Sequence, residues 1–345
     1  MRAITLQPRS AGSLRLEDIP EPAGAGSLRV RGLAVGVCGT DRELIEGEHG
    51  EAPAGRSRLV IGHESLGRVL EAPAGSGFSP GDMVVGVVRH PDPVPCASCA
   101  LGEWDMCRNG LYTERGIKQA DGFCAEVWTT APGFAVRVSG SLGLAAVLLE
   151  PASVLAKAWA HVDSIAARTA WRPRRALVTG AGPVGLLAAL LGTQRGLEVH
   201  VYDRHDAGPK PRLVRALGAR YHTEFPSLEF DVALECTGAA KVVRDAVLSA
   251  APGGIVCLTG LGGVKHRATF DAATLNDALV MENRVVFGSV NANLRHYRAA
   301  AEALAAADRA WLDGLITRKV PLARWREAYE KRPDDVKAVL VFDES

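Results

Sequence analysis

The stretch RALVTGAGPVGLLAALL (residues 175–191) decides the fold. A short apolar run ends in glycine, and an apolar helical run follows at once. Between them Gly180, Gly182 and Gly185 fall at G-x-G-x-x-G spacing. The first glycine permits a tight turn and the second lets backbone approach a pyrophosphate; the third lets the helix pack closely on the strand. The phosphates would then meet the positive end of the helix dipole. A second strand, EVHVYD (198–203), ends on Asp203, 23 positions after Gly180. That is close to the interval of about 20 for the residue that takes the adenosine ribose hydroxyls. The spacing therefore predicts a dinucleotide site, with Pro183 and Val184 inside the loop and Thr237 in a later strand-end turn, ECTG. Asp203 accepts from a 2′-hydroxyl and repels a 2′-phosphate, which favours NAD. Arg204 beside it suits a 2′-phosphate, so NADP stays open.

Outward from this loop, β and α signals alternate: DVALECTG, AAKVVRDAVLSA and GGIVCLTG succeed one another. Alternation of this kind predicts βαβ units and a parallel sheet. Before about Ala145 the texture differs. RAITL, SLRVRGLAVGV, GDMVVGVV and GFCAEVWTT are short strands punctuated by glycine and proline, as in an irregular antiparallel domain. With 345 residues, 47% of them hydrophobic, the chain is long enough for about two domains. The net charge of +1, from 40 basic and 39 acidic side chains, offers no field to attract nucleic acid or a membrane surface. No leader-type apolar segment is expected at the start, and the longest apolar run is broken by glycine and proline. A soluble chain in a reducing cytoplasm is the expectation.

Seven cysteines suit no disulfide framework in a chain of this size. Cys124, Cys236 and Cys257 stand singly in apolar runs and read as small core residues. Cys38 in GVCGTDRE and His63–Glu64 in VIGHESLG are of the ligand types of catalytic zinc, which keeps a position open for substrate. Glu150 in LLEPASV is a further carboxylate, at the hand-over to the α/β region. Taken singly, each has a plain reading as a buried thiol, a core histidine or a helix N-terminal acid. Cys96, Cys99 and Cys107 crowd one polar loop, PDPVPCASCALGEWDMC (91–107), as structural zinc ligands do. His161, His200, His222, His266 and His296 have no ligand spacing, and the basic WRPRR (171–175) reads as a solvated linker.

The order GVCGTD, GHE, cysteine loop, EP, GxGxxG resembles the zinc-dependent medium-chain dehydrogenase/reductases. GVCGTDRE, DMCRNGLYTERGI, DGFCAEVW and FGSVNANLRHY look most like their glucose dehydrogenase branch. The resemblance implies an α/β architecture: a GroES-like β-rich catalytic domain over 1–152, completed by 292–345, and a Rossmann doubly wound parallel sheet over 153–291. It implies catalytic zinc on Cys38 and His63, with Glu64 or water completing the shell and Glu150 close by. It further implies sugar contacts from Thr40, Glu114, Glu150 and Asn291, with Val290 and Asn291 beside the nicotinamide.

Zinc with an open position lowers the pKa of an alcohol bound there, and hydride then passes to the nicotinamide. Thr40 could relay the departing proton, with His49 as an extension of the relay or a solvated loop residue. Asp41 reads as an acceptor for neighbouring amides. Glu114 is either a sugar acceptor or half of a surface salt bridge. In this superfamily the loop zinc follows C-x2-C-x2-C-x7-C, and here the first position is Pro93. Asp92 is the nearest substitute, with Glu103 and Asp105 within the loop, and an empty loop is the alternative.

The expected activity is oxidation of a sugar hydroxyl, glucose to its lactone being the type case. A polyol, secondary-alcohol or amino-alcohol dehydrogenase is the alternative within the superfamily. A non-catalytic nucleotide-binding protein and a zinc-free quinone reductase stand further off. The resemblance also suggests a homo-oligomer, dimer or tetramer, through Rossmann-domain edges.

Overall fold

Strand Leu28–Gly36 alternates buried and half-buried residues for most of its length, as a pleated strand with one face on a core must. It is the hub of a seven-stranded sheet, pairing antiparallel with Glu64–Glu71, Val127–Thr130 and Lys337–Val341. The structure is a computed structural model that describes residues 1–24, 26–170, 172–262 and 271–342. Trp171 and His266 lie outside the described residues.

The chain divides into two units, Met1–Ser153 with Ala292–Ser345, and Val154–Asn291. In the first, Leu28, Val30, Val35, Phe123, Trp128 and Leu340 share one buried core. The last strand is threaded into the hub sheet, Val339 facing Gly36 and the Val37 amide donating to Ala338 O at 2.9 Å. That pairing sets Lys337 beside Val37, next to Cys38. A separate small sheet, Arg89–His90, Thr113–Arg115 and Gln119–Ala120, accompanies the cysteine loop.

The second unit is a six-stranded parallel sheet. Its order is Arg220–His222, Glu198–Tyr202, Arg175–Thr179, Phe230–Glu235, Ala250–Leu258, Val285–Gly288. This is the 3-2-1-4-5-6 order of a doubly wound dinucleotide fold, and it places the glycine loop where the strand order reverses. Helix Pro183–Gln194 leaves that loop with proline at its start, where a missing N–H costs no hydrogen bond.

The stretch Gly140–Ala166, which includes helix Leu149–Ala166, is long and apolar enough to cross a membrane. Within the fold 78% of its apolar window is buried, as in a core helix.

Candidate metal centre and dinucleotide loop

Cys38 stands immediately before the short helix Gly39–Ile45, in extended conformation. Asp41 Oδ2 accepts the Cys38 amide at 2.8 Å, which fixes the turn. Its other oxygen lies 3.4 Å from His63 Nδ1. A carboxylate against Nδ1 orients the ring and leaves Nε2 for an ion. His63 and Glu64 come from the entry to strand Glu64–Glu71, whose first residue faces Gly36. A Cβ at Gly36 would stand 2.0 Å from Glu64 Oε2, so only glycine lets that carboxylate lie there.

The ligand atoms of Cys38, His63 and Glu64 lie within 4.8 Å of one another. Asp41, His63 and Glu64 are all but inaccessible, and the 3.4 Å ion pair of His63 Nδ1 with Asp41 Oδ1 is supplemented by no shorter hydrogen bond to either atom among the described residues. Burial opposes a charged imidazole, yet the Asp41 carboxylate and the Cys38 sulfur outweigh it and hold the His63 pKa well above 6.5. The pocket thus favours positive charge among a thiol, an imidazole and carboxylates, which is the donor chemistry zinc accepts. The residues fit the metal.

Glu150, in the first turn of helix Leu149–Ala166, is not among these mutually close atoms. Desolvation, opposed by His63 and reinforced by Glu64, raises its carboxyl to about 7. Glu64 is also engaged otherwise than the sequence suggests: Lys337 Nζ donates to both its oxygens at 2.7 Å. Lys337 is 2% exposed and is a residue the sequence reading missed; its signal was a lysine heading the apolar strand KAVLV. Tyr297, buried, accepts the Val88 amide at 3.3 Å and feels the Glu150 charge; it too was missed. Thr40 is half-buried in the helix that Cys38 begins. His49 pairs with Glu43 at 3.2 Å. Glu114 Oε1 accepts from Arg89 Nε at 3.0 Å and Nη2 at 2.9 Å, so its pairing is largely buried instead of lying on the surface.

The cysteine loop gathers the sulfurs of Cys96, Cys99 and Cys107 within 4.8 Å. The Arg108 amide donates to Cys96 Sγ, and such amide donors pull that thiol down to about 6, while burial pushes Cys99 up to about 11. The expected fourth ligand does not join them. Asp92 turns its oxygens to the Val94 amide at 2.9 Å and Asn109 Nδ2 at 2.7 Å. The other two acids of the loop are committed as well, Asp105 to Asn293 Nδ2 at 2.7 Å and Glu103 to Arg295 Nη1 at 2.8 Å.

In the second unit, a Cβ at Gly185 would meet Gly180 O at 1.7 Å, whereas one at Gly182 would have nothing within 4 Å among the described residues. The third glycine is required by packing; the second faces open space at a helix start, where a phosphate would lie. Asp203 Oδ2 accepts the Ala181 amide at 2.8 Å and lies 3.2 Å from Lys210 Nζ, and Oδ1 accepts the His205 amide at 3.0 Å. Burial would raise the Asp203 carboxyl, but these donors outweigh it and hold it low. The charge of Asp203 is thereby partly neutralised, and Arg204 beside it is exposed.

Thr237 is held by Glu235, a fully buried carboxylate that accepts the Thr237 amide at 2.8 Å and the Gly238 amide at 3.0 Å. Buried Lys157 donates to Val290 O at 2.9 Å and secures the turn in which Asn291 adopts φ +60°. Both Glu235 and Lys157 escaped the sequence reading. A carboxylate closing the apolar strand DVALE was the available signal for the first.

Residues 143–342 match the family described as glucose dehydrogenase C-terminus, and residues 24–140 match the alcohol dehydrogenase GroES-like domain. The chain is 40% identical over 355 residues to a glucose 1-dehydrogenase of Methanocella arvoryzae, covering 99% of each. It is 41% identical over 352 residues to that of Thermoproteus tenax, again covering 99% of each. Among solved structures it is similar to Haloferax mediterranei glucose dehydrogenase in complex with NADP, Zn and gluconolactone. The TM-score is 0.92, with 30% identity and full coverage of both chains. The chain belongs to the zinc-dependent medium-chain dehydrogenase/reductase superfamily, in its glucose dehydrogenase branch.

Proposed function

We propose that the protein is a zinc-dependent, NAD(P)-linked glucose 1-dehydrogenase, oxidising the anomeric hydroxyl of an aldose to the lactone. The observation that carries the reading is the gathering of the ligand atoms of Cys38, His63 and Glu64 within 4.8 Å of one another, in a chain similar end to end to glucose 1-dehydrogenases. Zinc, when bound, supplies the Lewis acidity that makes a sugar hydroxyl easier to deprotonate. Cys38 and His63 hold it, Asp41 orients the His63 ring, and Glu64 or water completes the shell with Glu150 close by. Thr40 relays the departing proton. Glu114, Glu150 and Asn291 bind sugar hydroxyls, and Val290 lies along the nicotinamide.

Gly180, Gly182, Pro183, Val184 and Gly185 cradle the pyrophosphate, and Thr237 flanks it. Asp203 and Arg204 receive the adenosine ribose. The partial neutralisation of Asp203 by Lys210 supports acceptance of NADP as well as NAD. The protein works in the cytoplasm as a homo-oligomer. Support for the latter comes from Val285–Gly288, an edge strand of the sheet among the described residues, and the exposed Val280 and Met281 on the helix before it. The test is a panel of aldoses, polyols and simple alcohols with NAD and NADP, followed by the absorbance of reduced nicotinamide. Glucose should be oxidised with either cofactor; activity confined to simple alcohols overturns the sugar assignment.

A further inference from the structure

The first unit contains a second cavity, about 640 Å³, whose walls include none of Cys38, His63 and Glu64. That is an ordinary size for a small-molecule site. Ile19, Pro20 and Pro53 give it apolar walls, and three arginines, Arg56, Arg58 and Arg115, reach it. Two of the three are compensated. Arg56 pairs with Asp121, and Arg58 with Glu17 at 2.9 Å and with the carbonyls of Thr5 and Ser13. Arg115 is not. Its Nε is buried and has no hydrogen-bond partner among the described residues. Asp121, whose charge acts on it, is already held by Arg56 and by the Val60 amide at 3.0 Å. The guanidinium lies over the Phe123 ring, 4.8 Å from its centroid, with Trp128 edge-on to that ring. Burial drags its pKa down to about 10, so the charge persists at neutral pH. A desolvated cation that cannot shed its proton calls for an anion.

We propose that this cavity binds a small organic anion, a carboxylate or phosphate monoester with an apolar body, whose oxygens pair with Arg115. The planar guanidinium suits the two-oxygen face of either group, and the apolar body would lie against Ile19, Pro20 and Pro53.

Isothermal titration of the full-length, zinc-loaded chain tests this, with benzoate and phenyl phosphate as probes and benzyl alcohol as the uncharged control. Either anion should bind at millimolar concentration and the alcohol should not; the tighter of the two anions identifies the head group. Arg115→Gln should weaken binding by roughly tenfold or more, the worth of one charge-assisted contact. Cys38→Ser should leave binding unchanged, which separates this cavity from a carboxylate seated on the catalytic zinc. Should Arg115→Gln fail to fold, Ala120→Phe fills the cavity without removing the guanidinium and should abolish binding equally. Absence of binding by both anions overturns the proposal. So does equal binding of benzyl alcohol, or binding that survives Arg115→Gln and disappears with Cys38→Ser.

Discussion

Asp41 works on two candidate ligands at once, one oxygen on the Cys38 amide at 2.8 Å and the other 3.4 Å from His63 Nδ1. Replacing it with asparagine keeps the volume but places an amide where a carboxylate oriented the ring. Partners of this kind are typically worth 10–100-fold in metal affinity, so Asp41→Asn should weaken zinc binding by about that factor. Competition against a chromophoric chelator measures it, and unchanged zinc retention would show that the carboxylate is idle. A different single residue governs acid stability. His90 stacks on Phe134 with centroids 4.1 Å apart, and its Nε2 lies 3.2 Å from Val87 O. Burial, then the Arg115 charge, depress its pKa from 6.5 to about 4. The folded value lies below the unfolded one, so this stability is complete above the unfolded value and drains away as pH falls toward the folded one. The loss is at most about 3 kcal/mol. The urea midpoint of the native protein should therefore drop between neutral pH and about pH 4, and His90→Phe should flatten the drop. An equal drop in both proteins assigns the acid sensitivity elsewhere.

At the scale of elements, the glycine loop separates folding from binding within six residues. Gly185→Ala forces a Cβ to within 1.7 Å of Gly180 O, which strand Arg175–Thr179 and helix Pro183–Gln194 cannot yield without parting. Gly182→Ala meets nothing within 4 Å among the described residues and sits at an ordinary negative φ, so the fold should accept it. What it obstructs is the close approach of a pyrophosphate. Gly185→Ala should thus lower the melting temperature markedly. Gly182→Ala should melt like the native chain yet bind NAD or NADP at least about tenfold more weakly, the loss of one good phosphate contact. Calorimetry and cofactor titration read the two, and normal cofactor affinity in Gly182→Ala would remove the phosphate from that position. This loop was legible because all its parts are neighbours in the chain, and so was Asp41 as an acceptor for nearby amides, since the amide it takes is that of Cys38, three residues away. Glu235 beneath Thr237 and Lys157 beneath Val290 were not, because each acts on backbone that only the folded sheet or turn brings to it; Lys157 and Val290 are 133 positions apart. The Lys337–Glu64 pair, 273 positions apart, depends on the last strand entering the hub sheet, and no local pattern announces that.

Across the whole molecule, two groups of side chains among the described residues could each hold a metal ion, and only the one at Cys38 and His63 bears on the proposed reaction. The cysteine loop shows why spacing alone could not name every ligand. Cys96, Cys99 and Cys107 converge as their intervals require, but the choice of a fourth ligand depended on where three acids turn. Asp92 closes its own loop, Asp105 ties down Asn293, and Glu103 pairs with Arg295 from the far end of the sequence. A zinc ion held there would take the three thiolates, and among the described residues none of the three acids is gathered with them. A zinc ion at Cys38 and His63 would meet an imidazole set against the Asp41 carboxylate, with His63 and Glu64 both buried. The loop ion should therefore be the more readily lost. The zinc-loaded chain should contain roughly two ions, as a family with one catalytic and one structural site would. Titration with a chelator should remove the first ion with little loss of glucose oxidation and a lowered melting temperature. Removal of the second should abolish activity. Cys96→Ser should reproduce the first stage alone, and Cys38→Ser the second. If activity instead falls in step with the first ion released, or if Cys96→Ser changes neither metal content nor melting temperature, the loop is no zinc site and its three thiols pack without metal.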